Sequence, residues 1–450
     1  MRAALRRRAF RHLLGAQVLS CLGDELARLA LAILVFQRSG SPALTALTYA
    51  ASVVPWLLLG PFLATLGDRL PRRAVLVTCD LLRAVLAVGL ATRGLSLPVL
   101  FALLLLLTAA EPPFDATRAA LLADLLVGDA YVAGQALMQA AVSTLAVVGY
   151  GAGGLLVLAL GAHGALLLDA VSFLGSALLL LTGVPGTPAP AGAAGLATPR
   201  RRTGLDAVLG DRRVRWLVLL AAATAFFDVV PVALVVPWAA SLGGGSATAG
   251  LLAAAAPLGA AVSGIVVARV LDQRQRLWVL PRLALVSVAV LALALAQPST
   301  APVAGLLLVS GAAAGYQVIA NQLFVQSVPA ERRAAAFGVA GSALVGAQGA
   351  ALIVAGLAAE VLAPALVVGI AGVLGSVAVL VLWARRPDLA PLLTGPVARP
   401  AVPAAPRPPV VVAVPPVAVP PVDVPPVVLL PDDRVIDLVT KERSGDRVRA

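Results

Sequence analysis

From residue 12 to residue 384 the chain is a succession of apolar stretches separated by short polar or arginine-bearing turns. Each stretch is about as long as the roughly 20 residues a helix needs to cross the hydrocarbon core of a bilayer. The runs are 12–36, 43–66, 74–93, 97–114, 133–160 and 163–184, then 214–239, 247–270, 277–296, 301–324, 334–359 and 362–384. In hydrocarbon no water can satisfy a backbone N–H or C=O, so each run must close its own hydrogen bonds as a helix. Composition agrees, with 60% hydrophobic and 12% charged residues against about 45–50% and about 25% in soluble domains. The expected class is an all-α membrane protein with twelve transmembrane helices embedded in a lipid bilayer.

The formal net charge is +12. Nucleic acid is excluded as a partner, because aromatics are only 4% and no basic–aromatic interleaving occurs. The arginines instead occupy alternate connections. Arg2, Arg6, Arg7, Arg8 and Arg11 precede the first run, Arg69, Arg72 and Arg73 follow the second, and Arg118 follows the fourth. Arg200, Arg201, Arg202, Arg212 and Arg213 lie between the sixth and seventh. Arg269, Arg274 and Arg276 follow the eighth, Arg332 and Arg333 the tenth, and Arg385 and Arg386 the last. The intervening connections hold only Arg38 and Arg93. This asymmetry predicts a multi-pass protein of the cell (plasma or inner) membrane, with both termini and the central connection in the cytoplasm. The first run carries Asp24, Glu25 and Arg28 and lacks a small-residue cleavage site, so it reads as a retained span and not a signal peptide.

Several chemistries are excluded. Cys21 and Cys79 are isolated in apolar runs, and His12 and His163 are far apart, so no disulfide framework and no metal are expected. Lys441 is the only lysine and no glycine-rich loop leads into it, which removes a Walker A site. No cofactor is expected, and the chain is not expected to be an enzyme. Gly149-Tyr150-Gly151-Ala152-Gly153-Gly154 reads as G-x-G-x-x-G but lies inside an apolar run. Small residues at Gly149 and Gly153 suit close helix packing.

The chain divides into an N-terminal six-helix bundle (1–184), a Pro-, Gly-, Ala- and Arg-rich cytoplasmic connection (185–213), a C-terminal six-helix bundle (214–386) and a tail (387–450). In the tail, Val414-Pro415-Pro416-Val417 recurs at Val419 and Val424. Proline blocks helix there, so the tail is expected to be disordered or polyproline II-like, able to dock a tail-binding protein. The halves resemble each other weakly: runs one and seven each carry an embedded acid, Asp24 and Asp228. Six-plus-six repetition is what a two-bundle transporter uses to rock around a site between its halves.

Embedded charges cost roughly 2.5–3.5 kcal/mol each on insertion scales, so they need a partner or a function. Asp24 and Arg28 are spaced i, i+4 and can pair on one helix face, either as a structural pair or in proton or substrate handling. Glu25, about 100° away around that helix, is then the freer acid. Asp228 has no same-helix partner and is the first candidate for proton handling. Asp80 and Arg83, one turn apart, read as a structural pair, and Asp169 as a helix cap. Gln317 and Asn321 share a face and suit either a cavity lining or interhelical hydrogen bonds. Asp24, Glu25, Arg28, Asp228, Gln317 and Asn321 are the substrate- and proton-binding candidates.

The stretch Ala64 to Arg73 resembles the signature loop of the major facilitator superfamily, G-x-L-a-D-r-x-G-r-r. Asp68, Arg69, Arg72 and Arg73 match, while Ala64 and Pro71 stand where the pattern has glycine. The resemblance implies a gating loop, in which an acid and clustered arginines pin the connection to neighbouring helix ends. Ser39-Gly40-Ser41-Pro42, Asp80-Leu81-Leu82-Arg83-Ala84, Asp169-Ala170-Val171-Ser172-Phe173 and Val328-Pro329-Ala330-Glu331-Arg332-Arg333 resemble the macrolide and enterobactin exporter-like branch. The glycine-rich fifth run is similar to an antiporter motif, with Tyr150 where the central proline sits. Over roughly residues 12–386 the resemblance implies a major facilitator fold and proton-driven efflux of a small amphiphile, drug-, macrolide- or siderophore-like. The alternatives are an uptake symporter of the same fold, or a non-transporting membrane sensor or scaffold.

Overall fold

The protein is described by a computed structural model covering residues 5–58, 70–186, 201–296 and 299–387. Every described residue lies in one compact unit. Asp68 and Arg69 of the signature loop, residues 187–200 of the central connection, and the Val-Pro-Pro tail lie outside the described residues.

The first half runs through α1 (Arg8–Ser39), α2 (Pro42–Leu58), α3 (Arg72–Leu90), α4 (Leu97–Ala109), α5 (Glu111–Leu125) and α6 (Asp129–Gly183). α7 (Arg201–Gly210) then leads to α8 (Arg212–Asp228), α9 (Val230–Ser241), α10 (Ser246–Val270) and α11 (Gln273–Ala289). A 3-10 turn, Val290–Ala296, precedes α12 (Thr300–Ala313), α13 (Tyr316–Ser327), α14 (Ala330–Ala358) and α15 (Pro364–Ala384). Among the described residues there is no strand.

Eight helical stretches among the described residues are long and apolar enough to cross a membrane: Leu97–Leu125, Ala133–Gly183, Arg212–Ser241, Ser246–Val267, Arg274–Ala296, Thr300–Ser327, Ala335–Ala358 and Pro364–Ala384. α1 and α3, at 32 and 19 residues, have the length but are interrupted by charge: Asp24, Glu25 and Arg28 in one, Asp80 and Arg83 in the other. Pro42–Leu57 is apolar but shorter.

Where the runs bend, the cause is local. Pro112 and Pro113 sit in the first turn of α5 and cannot donate to α4, so the fourth run breaks at Ala110. Pro231 does the same between α8 and α9. The fifth and sixth runs form one long helix, α6, bent at Gly161, whose φ of 72° and ψ of 169° suit glycine. The connection expected between the halves contains a helix, because Gly204 and Val208 of α7 are one turn apart on the face toward α14: Gly204 meets Ala335 and Val339, and Val208 is buried. Asp211 then caps α8, accepting from the Arg213 N–H at 2.7 Å.

Large apolar side chains such as Leu158, Val171 and Leu178 point outward, the surface that lipid covers. The crossings between helices use small residues. A Cβ on Gly154 of α6 would come 2.8 Å from Cα of Gly250 on α10. α1 lies between the two segments of α6. Gly149 and Gly153 meet Glu25, Leu26 and Leu29 on one side, and Gly23 meets Asp169 and Ser172 on the other. The glycine run of the fifth stretch is thus a packing surface that lets α1 bring its charged turn deep into the first half.

Candidate functional site

The charged turn of α1 opens onto a cavity of about 310 Å³ in the first half. Its polar wall is built by Asp24, Glu25 and Arg28 of α1, Arg83 of α3, and Glu111 and Asp115 of α5. Phe114 and Val142 supply apolar surface. α1 and α3 are helical through these charges because the surrounding runs are leucine- and alanine-rich, and tertiary packing overrides the local cost. Glu111 enters the wall because the Pro112-Pro113 pair starts a new helix there.

Two guanidiniums are shared among three carboxylates. Arg28 donates through Nη1 to Glu25 Oε1 at 3.1 Å and through Nη2 to Glu111 Oε1 at 3.4 Å. Arg83, only 2% exposed, donates through Nη2 to Asp24 Oδ1 at 2.5 Å and through Nη1 to Ser20 Oγ at 3.2 Å. The same Nη2 lies 3.6 Å from Glu111 Oε1, and the guanidinium sits 4.2 Å from the centre of the Phe173 ring. Glu111 therefore bridges both arginines, and Trp56 Nε1 donates to its other oxygen at 3.3 Å. Asp115 pairs with Arg118 one turn on, at 3.0 Å.

This wiring differs from the expected one. Asp24 is held by Arg83 and not by Arg28, while Glu25, expected to be the freer acid, takes Arg28. The i, i+4 spacing describes α1 alone. The Arg83 side chain reaches from α3 to this turn of α1, and being buried it needs an anion more than the partly exposed Arg28 does. Asp80 does not pair with Arg83 either; its Oδ2 accepts from Ser176 Oγ at 2.5 Å. Asp169, read as a cap, is fully buried in mid-helix, with Ser172 Oγ 3.4 Å from Oδ1. Among the described residues Glu25 Oε2, Asp80 Oδ1 and Asp169 Oδ2 are buried without a hydrogen-bond partner.

Asp228 stands apart, in the second half, as the last residue of α8. Ser310 Oγ on α12 reaches Asp228 Oδ1 at 3.1 Å and the Ser287 carbonyl at 2.8 Å. No salt bridge to Asp228 occurs among the described residues. Gln317 and Asn321 are both exposed on α13, Gln317 donating to Tyr316 Oη at 3.4 Å, and neither lines the charged cavity. Their neighbour Gln322 accepts from Arg276 Nη1 at 2.5 Å.

Of the signature loop, Arg72 and Arg73 are described. Arg72 pairs with Asp124 and donates to the Ala120 carbonyl at 2.9 Å, near the end of α5. Arg73 donates to the Val184 carbonyl at 3.2 Å, just past the end of α6. Both arginines meet helix C-terminal ends, where cations are favoured. Among the described residues no group of three metal-ligating side chains converges.

Glu111 is the residue that reasoning from the sequence passes over. Its signal is an acid directly before Pro112-Pro113 inside an apolar run, a place where the backbone must break and a charge must find a partner.

Residues 13–231 match the profile of the Major Facilitator Superfamily. An uncharacterized MFS-type transporter of Bacillus subtilis (strain 168), YkuC, is 29% identical over 176 residues, 38% of this chain; the alignment spans only 41% of that relative. The fold is similar to that of a POT family transporter crystallised with a thioalcohol-conjugated peptide, with a TM-score of 0.67, 13% identity, and coverage of 84% of this chain and 96% of that one. It is also similar to the nucleoside transporter NupG, with a TM-score of 0.64, 15% identity, and coverage of 84% and 98%. A bacterial homolog to the human lysosomal transporter Spinster, inward-facing and unoccupied, gives a TM-score of 0.62, 15% identity, and coverage of 84% and 96%. At these identities the solved structures speak for the fold. Over residues 13–231 the sequence is thus similar to the Major Facilitator Superfamily, and the described fold is similar to that of these transporters.

Proposed function

We propose that the chain is a proton-coupled secondary transporter that exports small amphiphilic molecules across the cell membrane, from a cytoplasmic side marked by the arginine-bearing connections. The observation that carries the reading is the cavity in the first half, where Arg28 and Arg83 are shared among Asp24, Glu25 and Glu111. Three acids against two bases leave one carboxylate that a proton or a cationic substrate group can neutralise. Glu111 bridges both arginines, so a proton on it frees guanidinium donors and rewires the cavity. That is the kind of event by which protonation changes what the cavity holds. Phe114 and Val142 beside the charges suit a molecule with both apolar and polar parts.

Asp228 is a second proton-handling group in this reading, since a hydroxyl and no cation faces it. Asp68, Arg69, Arg72 and Arg73 gate the cytoplasmic side, and Arg72 and Arg73 tether α3 to the ends of α5 and α6. The branch resemblance supports efflux of a drug-, macrolide- or siderophore-like amphiphile. The tail is an arm that a tail-binding protein can hold.

The test is transport by purified protein in proteoliposomes under an imposed pH gradient, across a panel of amphiphilic cations and neutral amphiphiles. Export-direction movement that Glu111→Gln abolishes supports the proposal. Movement with the proton gradient in the uptake direction makes the chain a symporter, and no movement of any compound favours a sensor or scaffold.

A further inference from the structure

The turn between α14 and α15 carries Glu360, which reaches back to the N-terminus of α2. Its Oε1 accepts from the Ala43 N–H at 2.9 Å and from the Ser41 hydroxyl. Ser41 Oγ in turn accepts from the Leu44 N–H at 3.1 Å. A helix begins with four N–H groups that have no partner in the helix, and with the positive end of its dipole. At α2 one of these donors is met by the helix's own cap residue and another by a carboxylate 317 positions away in the sequence. These bonds hold the Glu360 carboxyl below the usual glutamate range.

The placement of this contact is what gives it meaning. α2 belongs to the first half of the chain, and the α14–α15 turn to the second. One turn before Glu360, Gly356 meets α2 closely: a Cβ there would come 3.1 Å from Ala43 Cα. Near the Gly161 bend, Gly154 meets Gly250 in the first turns of α10, again first half against second. The connections involved, 40–41, 161, 242–245 and 359–363, contain no arginine. Both helices that Glu360 joins run away from it toward arginine-bearing connections, with Arg72 and Arg73 beyond α2 and Arg332 and Arg333 at the start of α14.

No salt bridge to Glu360 occurs among the described residues. α15 has no titratable side chain, α2 contributes only the buried Tyr49, and α14 has its charged residues at the opposite end. Arg38, at the end of α1, donates its Nη1 to the Leu95 carbonyl at 2.9 Å. The carboxylate is therefore tied to backbone and hydroxyl donors, a link that breaks cleanly when the two helix ends separate.

We propose that Glu360 and the Ser41–Ala43 start of α2 form a latch that holds the two halves closed at the arginine-poor end. Opening that end requires the carboxylate to leave the α2 N-terminus. The latch rests on the transporter reading for its use in a cycle, but its existence is tested without substrate.

The experiment measures the distance across that end by electron–electron resonance in the full-length protein in lipid nanodiscs. Spin labels are placed at the exposed positions Thr92 and Ala240 in a Cys21→Ser, Cys79→Ser background. Glu360→Ala should raise the long-distance population about threefold, the scale of one helix-dipole contact. Ser41→Ala, which removes the other side of the link, should shift the distribution the same way, and the double variant should shift it no further than the stronger single one. Glu360→Gln keeps the acceptor but not the charge and should fall between. Size-exclusion profiles verify folding, and if Glu360→Ala fails to fold, Glu360→Gln and Ser41→Ala decide. Distributions that superimpose on the unmodified protein, or effects that simply add, overturn the latch while leaving the transport proposal standing.

Discussion

Each half of the molecule buries acids among apolar helices, and the halves handle them differently. In the first, Asp24, Glu25 and Glu111 are held by Arg28 and Arg83, which arrive from α1 and α3 while the acids come from α1 and α5. In the second, Asp228 faces Ser310. A guanidinium shared between carboxylates fixes helices to one another, because removing either partner strands a buried charge. A hydroxyl partner serves a carboxylate and a carboxylic acid about equally, donating to the first and accepting from the O–H of the second. The first half thus couples Asp24, Glu25 and Glu111 to helix packing, whereas Asp228, like Asp80 beside Ser176 in the first half, has a hydroxyl partner that serves either protonation state.

The strongest way to break this contrast is to remove Arg83. With Asp24 and Glu111 left facing each other beneath Phe173, Arg83→Ala should lose about 3–5 kcal/mol of stability, the usual cost of stranding a buried charge. The fall in the thermal midpoint of the purified protein reads this directly. Arg83→Lys should recover part of it, since a lysine keeps the charge but cannot reach Ser20 and Asp24 with a planar fork. A midpoint unchanged in Arg83→Ala would mean that the network is not what holds α1, α3 and α5 together.

That network also marks the limit of what the sequence discloses. The apolar runs are readable, because a bilayer demands runs of one length and one polarity, and eight helical stretches among the described residues meet that demand; the breaks at Pro112 and Pro231 fall inside runs 97–114 and 214–239, which read as continuous. The charged turn at 24–28 is readable as costly. Its pairing is not, because i, i+4 arithmetic describes one helix, and the choice between Arg28 and Arg83 depends on where α3 brings the Arg83 side chain. Glu111 hides inside an apolar run, and α7 hides in a Pro-, Gly-, Ala- and Arg-rich connection where a short stretch, Leu205 to Leu209, is its apolar signal. Asp228 is readable as lacking a partner on its own helix, while Ser310, on α12, is visible only once the helices are packed.

A second test sharpens the contrast from the other side. Asp228→Asn should cost at most about 1 kcal/mol, since the amide oxygen still accepts from Ser310 and a neutral hydrogen bond is worth roughly that much. Its effect should appear in transport: an amide cannot alternate between charged and protonated forms, so gradient-driven accumulation should be lost while counterflow exchange of the same compound persists. Accumulation that still follows the pH gradient would remove Asp228 from coupling and turn attention to Asp24, Glu25 and Glu111. A stability loss as large as that of Arg83→Ala would erase the difference between the halves altogether.

Glu360 extends the comparison to an acid outside the membrane-spanning segments, and its expected effect is the smallest. Its carboxyl is held below the usual range by the Ser41 hydroxyl and the Ala43 N–H, so the charged form is the one bound at the α2 N-terminus. The sign follows. A group whose value is lowered in the bound state contributes its full stabilisation above its ordinary value, near about 4.3 for glutamate, and loses it as the pH falls through the lowered value. The latch should therefore be indifferent to pH across the neutral range and weaken only in strong acid. Distances between labels at Thr92 and Ala240, followed from neutral pH downward, should stay constant until the ordinary glutamate range is passed and then lengthen. In Glu360→Gln that acid-dependent lengthening should vanish. A transition centred near neutral pH that survives in Glu360→Gln would show that another group governs this end, and that the carboxylate at the head of α2 is a passenger in its closure.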